Sequence, residues 1–277
     1  MTNIISLLII FIFAVFFSFI FKKKIEETTI FSIFLIILIL YVGGLFSFLN
    51  ISYYLICLSS LIFLLILISN HKKINYKLIL TPGLIFLILT TIVSIIIHHH
   101  RFVVTFDEFN HWFLATKDMY LNNELFTSIK STVLAKNNTP GSTIFHYFWM
   151  KPSPIFDESL VFISMNFLLF SLLAPIFSIY KSNQWKHSLF IGFFLFLIPL
   201  TIYNYIYTGA YVDGLMGLIF AHILYLRFIK KYDKFNLLSI ILALFIFPLI
   251  KTTAIIFTVA SVILIFIDIL FFNNQND

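Results

Sequence analysis

Cysteine is nearly missing from this chain: Cys57 stands alone, inside an apolar run. A disulfide framework and a cysteine-rich zinc motif are thereby excluded, and the redox compartment is not legible from cysteine. Charge is scarce too, at 11% of residues, where a soluble globular chain carries about 25%. The eight glycines and seven prolines gather into no linker, and no fixed-period repeat is found, so 1–277 is expected to be a single integral membrane domain. No basic segment precedes the first apolar run, and Lys22, Lys23 and Lys24 follow it where a small-residue cleavage site would fall. That run is read as a retained span rather than a signal peptide.

What fills the sequence is hydrocarbon: 61% of residues are hydrophobic and the mean hydropathy is +1.03. A bilayer core about 30 Å thick takes roughly 20 apolar residues per helical span. Nine runs meet that length: 3–21, 29–49, 51–69, 78–97, 158–180, 187–206, 211–229, 236–250 and 252–272. Lipid offers no partner to an open strand edge, and the alternation of barrel strands is absent. The expected fold is all-α, a polytopic transmembrane helical bundle of about nine spans with one large external loop, 98–158, carrying amphipathic surface helices.

The formal charge of +6 is explained by topology and implies no nucleic-acid partner. Lys22, Lys23, Lys24, Lys72, Lys73, Lys77, Lys181, Lys186, Arg227, Lys230, Lys231 and Lys234 follow the odd-numbered spans; the loops after spans two and six hold no basic residue and that after span eight only Lys251. Basic loops stay cytoplasmic. The expectation is an integral protein of a bacterial cytoplasmic membrane, with the N-terminus and loop 98–158 outside and the C-terminus inside.

That loop concentrates the polar chemistry. Thr105-Phe106-Asp107-Glu108 has the form of a capping box, with a helix running to about Asn122. At 100° per residue Phe109, Trp112, Phe113 and Tyr120 share an apolar flank, while Asp107, His111 and Asp118 fall within about 40° of one another on another face. Such a helix would lie along the membrane surface. Asp107 and Glu108 are the candidate catalytic carboxylates; acids in a first turn also favour the helix dipole without doing chemistry. Asn137 to Thr143 reads as a turn into a second helix, whose free N–H groups near Gly141 would bind an anion, unless this is an ordinary capped start. His98, His99 and His100 point three ways on a helix and cannot share a metal, so no metal site is expected. Arg101 beside them suits either a bilayer anchor or a phosphate contact.

Further on, Asp213 opens span seven and Lys251 lies between spans eight and nine, both on the side of the long loop. Ionisable groups near membrane depth are costly, hence paired or functional. The two suit either a structural ion pair, or a lysine for a lipid phosphate with an aspartate orienting it or binding sugar hydroxyls. His222 and Asp268 also lie within spans.

Asp107-Glu108-Phe109-Asn110-His111-Trp112, Thr139-Pro140-Gly141, Tyr211-Val212-Asp213-Gly214-Leu215 and Lys251-Thr252 occur in order over roughly residues 80 to 260. Together they resemble the GT-C class of membrane glycosyltransferases, nearest to bacterial proteins with a D-E-[FY]-[SN]-H-W segment. The resemblance implies a GT-C-like core over 78–272, with residues 1–77 as three added N-terminal spans. Six spans from the loop-bearing one onward imply a short or truncated member of the class, or an inactive relative. It further implies transfer of a sugar from a polyprenyl-phosphate donor to a glycan, lipid or protein acceptor at the outer leaflet, within the cell envelope. Asp107 would be the base, with Glu108 supporting it. Arg101, His111, Asp118, Gly141, Tyr211, Asp213 and Lys251 would bind substrate and membrane lipid, and no cofactor beyond the lipid-linked sugar is demanded. A lipid or glycolipid flippase, or a non-catalytic subunit of polysaccharide assembly, are the alternatives.

Overall fold

A computed structural model describes residues 4–129, 131, 133, 136–180, 184–230 and 233–271. Lys181, Lys231 and the C-terminal residues from Phe272 on lie outside them. The elements are α1 (Ile4–Phe21), α2 (Ile25–Leu45), α3 (Leu49–Ser69), a one-turn α4 (Tyr76–Ile79), α5 (Pro82–Ile97), α6 (Leu114–Asn122), α7 (Gly141–Met150), α8 (Glu158–Leu173), α9 (Trp185–Ile202), α10 (Val212–Phe228), α11 (Lys234–Ile246) and α12 (Ala254–Phe271). Tighter 3₁₀ turns prolong α8 to Ile179 and α11 to Leu249. Each apolar run is thus helical, and among the described residues there is no strand. Six helices are long and apolar enough to cross a membrane: α1, α2, α3, α8 with its extension, α9 and α12. The runs assigned to α5 and α11 form shorter apolar helices.

Two boundaries differ from the hydropathy reading, for the same reason. Helix α2 starts at Ile25 rather than 29, taking Glu26 and Glu27 into its buried first turn. The Thr81 hydroxyl donates to Glu26 Oε2 at 2.5 Å, and Glu27 Oε1 lies 2.9 Å from Lys230 Nζ, so one carboxyl takes a hydroxyl and the other a cation inside the fold. Thr81 Oγ1 also accepts from Leu84 N and Pro82 occupies the first turn; α5 therefore begins at 82, not 78.

Helices α2 and α8 form the centre. The window of α8 with its extension is 89% buried, against 11% for α12. Helix α7 corrects an expectation. It was read as an amphipathic surface helix, yet all ten of its residues are buried, packed against α2, α6 and α8. Its polar groups share one side, but that side bonds inside the bundle: His146 Nδ1 lies 2.7 Å from Ser164 Oγ, and the Thr143 hydroxyl donates to the Pro140 carbonyl at 2.8 Å. Ser6 of α1 donates to the carbonyls of Phe148 and Trp149. The missing side chain of Gly141 lets α7 meet the backbone after α11: a Cβ there would lie 2.6 Å from the Leu249 carbonyl oxygen.

Ion pairs sort the bundle into two ends. Lys23 binds Asp233 at 2.5 Å, Lys24 donates to the carbonyls of Ser178 and Tyr180, and Arg227 pairs with Asp268. Near the opposite end, segments 105–112, 203–213 and 250–253 come together.

Candidate functional site

The polar segment does not begin as the regular α-helix its sequence suggests. Glu108–Phe113 is a π-helix that runs into α6. Its i→i+5 bonding adds about one residue per turn, which undoes the 100° spacing that put Asp107, His111 and Asp118 on one face. Asp118 is buried and accepts from Asn122 Nδ2 at 3.0 Å; it does not line the cavity that His111 lines. Of the predicted apolar flank, Phe113 is buried with its ring 4.8 Å from that of Phe162, while Phe109 is exposed.

The Thr105–Glu108 pair forms, but differently from a capping box. The Thr105 hydroxyl donates to Glu108 Oε2 at 2.6 Å, and Glu108 Oε1 accepts the backbone N–H of Ala210 at 2.7 Å. Glu108 is 3% exposed, with both oxygens engaged. It clamps the π-helix to the turn before α10. Gly209 makes room for this: a Cβ there would meet Glu108 Oε1 at 2.9 Å. Tyr211 strengthens the junction, with its hydroxyl 3.4 Å from Thr105 Oγ1 and its ring edge-to-face with Trp112.

Above this junction lies a cavity of about 280 Å³, lined by His111, Trp112, Asn138, Thr139, Val212, Ile250, Lys251, Thr252 and Thr253. Asn138 Nδ2 lies 3.2 Å from His111 Nδ1; if the amide donates, the imidazole carries its proton on Nε2 and keeps that donor. Lys251 Nζ binds Asp213 Oδ1 at 2.6 Å, and the two side chains are 37% and 48% exposed. The pair is open to solvent rather than locked in the bundle.

Asp213 in turn lines a second, apolar cavity of about 490 Å³, with Tyr203, Pro199, Gly214 and Gly217 among its walls. A further apolar cavity of about 460 Å³ shares Leu173, Leu195 and Leu218 with it and continues to Tyr225 and Ile229. Together they make a groove along α10, from Asp213 to Ile229, about 24 Å long at 1.5 Å per residue. Gly217 leaves it open, since a Cβ there would meet nothing within 4 Å.

The remaining predicted residues lie apart. Asp107 is exposed, makes no hydrogen bond or ion pair among the described residues, and lines neither cavity. Arg101 lays its guanidinium over the Phe162 ring at 4.5 Å, with Nη1 3.3 Å from His98 Nδ1: an anchor on α8. His98 Nε2 reaches the Tyr207 carbonyl at 2.9 Å, and burial, helped by the Arg101 charge, pushes this imidazole down to about 4. Gly141 is buried against Leu249. Among the described residues no cluster of His, Cys, Asp or Glu is fit to hold a metal.

Tyr203, Trp112 and Asn138 were missed as site residues. For Tyr203 a signal was available: Tyr203, Tyr205, Tyr207 and Tyr211 crowd the junction of two runs, the aromatic signature of a membrane interface. No protein-family model, no curated protein and no solved structure matches this chain. The fold and the site must therefore speak through their own chemistry.

Proposed function

We propose that the protein is a membrane glycosyltransferase that moves a sugar from a polyprenyl-phosphate donor to an acceptor at the outer face of a bacterial cytoplasmic membrane. The observation that carries this reading is the exposed Lys251–Asp213 pair, with Lys251 on a polar, aromatic-walled cavity and Asp213 at the head of an apolar groove. A lipid-linked sugar has the matching parts. Its chain suits the groove along α10, its phosphate suits Lys251 and the His111 imidazole, and its sugar suits Trp112 with the Asn138, Thr139 and Thr252 polar groups. Lys251 would stabilise the departing phosphate.

Asp107 is the proposed base. It is exposed and uncommitted among the described residues, and inverting transfer needs a carboxylate within about 3 Å of the attacking hydroxyl once substrate is bound. Glu108 acts through Asp107, by holding its π-helix against Ala210. Tyr211 and Asp213 hold the other wall of the site. The proposed topology has nine spans, with the N-terminus and residues 98–158 outside and the C-terminus inside. In support, Lys23, Lys24 and Lys230 meet at the end away from the polar segment. Single cysteines replacing Leu121 and Lys186, in a Cys57→Ser background, should label from opposite sides; labelling from one side would overturn this topology.

The purified protein in lipid, given polyprenyl-phosphate sugars, should transfer or hydrolyse the sugar. Unaltered turnover in both Asp107→Asn and Glu108→Gln would overturn the assignment. One observation favours a second reading: the groove continues along α10 to Ile229, as a flippase for the same kind of lipid would need. Movement of a labelled lipid-linked sugar between leaflets with no sugar released would select it.

A further inference from the structure

We infer that the end of the bundle away from the polar segment carries a binding site for the phosphate headgroup of an anionic phospholipid, built from Lys22 and Lys73. Both line a cavity of about 480 Å³ between the end of α1 and α4, with Ser18, Asn75, Leu78 and Ile79 among its other walls. The two lysines come from turns separated by two spans, so their meeting is a product of the fold and not of a basic run.

Three observations separate this cavity from an ordinary cytoplasmic margin. Neither ammonium has a hydrogen-bond or ion-pair partner among the described residues, no carboxylate lines the cavity, and Asp233 is taken by Lys23. The positive charge is therefore left for a ligand. The walls are mixed, with Phe19, Leu78 and Ile79 beside the polar groups, as a headgroup joined to acyl chains requires. Asn75 Oδ1 caps Lys77 N, which leaves the Asn75 amide N–H₂ as a donor for a phosphate oxygen. Lys22 also holds a left-handed backbone, φ 55°, where glycine would sit at less cost.

Native mass spectrometry of the full chain, taken from mixed phosphatidylcholine and phosphatidylglycerol vesicles, tests the site by the lipid it retains. Phosphatidylglycerol should be retained over phosphatidylcholine, and Lys22→Gln with Lys73→Gln should lower its retention about tenfold. Lys22→Arg with Lys73→Arg should keep it. Leu78→Trp, which fills the cavity and spares both charges, should lower it as well and stands in if the double variant fails to fold. Lys186→Gln with Lys234→Gln removes equal charge from the same end and should change nothing. Equal loss in that control, unchanged retention in Leu78→Trp, or displacement of the lipid by millimolar inorganic phosphate would each overturn the proposal.

Discussion

The two ends of this bundle treat charge in opposite ways. At the basic end, Glu27 is paired with Lys230 while only 5% exposed, Glu26 takes the Thr81 hydroxyl, and Arg227 and Asp268 lock α10 to α12. At the other end the Lys251–Asp213 pair stands open, Asp107 has no partner among the described residues, and the buried Glu108 binds a hydroxyl and a backbone N–H rather than a cation. A largely buried pair such as Lys230–Glu27, with side chains 16% and 5% exposed, has few alternatives, because little water reaches either ion. An exposed pair can exchange its partner for a ligand. Apart from the unpaired Lys22 and Lys73 at its margin, the first end uses its ions as struts, while the second keeps its ions available to bind.

Asp107→Asn should break the comparison hardest. Loss of a general base costs about 10² to 10⁴ in rate, while thermal unfolding in detergent should not move. Glu27→Ala should do the reverse: it leaves a largely buried Lys230 with only Ser178 beside it and should cost about 3 kcal/mol of stability, measured by unfolding, with turnover of the folded fraction intact. A large loss of stability in Asp107→Asn would erase the distinction.

His98 gives the comparison a pH axis. Its folded pKa of about 4 lies below the ordinary 6.5, so between those values the unfolded chain binds more protons than the folded one. Stability is complete above pH 6.5 and falls as pH drops toward 4, by up to about 3 kcal/mol for this group. His146, which burial pushes down to about 3, acts in the same direction. The readout is therefore slope: His98→Asn should flatten the dependence of melting temperature on pH in that window. An unchanged slope would show that His98 is not buried neutral.

Gly217→Phe sharpens the groove half of the site. The new ring enters open space, so stability should hold, while transfer from long-chain donors should fall about tenfold and transfer from short-chain analogues should not. The smallest effect is expected for Lys251→Gln on stability, under about 1 kcal/mol for so exposed a pair. Its donor KM should rise. A stability loss as large as that of Glu27→Ala would make the pair a strut like the others.

How much of this was legible beforehand follows the range of the forces involved. Hydropathy located every long helix, because the signal is local and spread over about 20 residues. Charge placement put Asp213 and Lys251 at the same end, and an ion pair between them was one of two readings open from sequence. Helix spacing failed between Glu108 and Phe113, where the backbone is held by Ala210, 102 residues further on. The expectation of surface helices in the loop failed for α7, whose burial depends on its packing against α2 and α8.

By itself, then, the sequence determined that this is a helical chain with six or more helices fit to cross a membrane, its polar chemistry gathered in one segment and its lysines concentrated between alternate apolar runs. Those properties need only composition and periodicity. The tertiary structure decided which ions became struts and which stayed available. It made Glu108 a clamp, set His111 and Lys251 on one cavity, and opened a groove beside Gly217. The reason is physical: a side chain's charge is set by its type, but the cost of that charge is set by what the fold brings within about 4 Å of it.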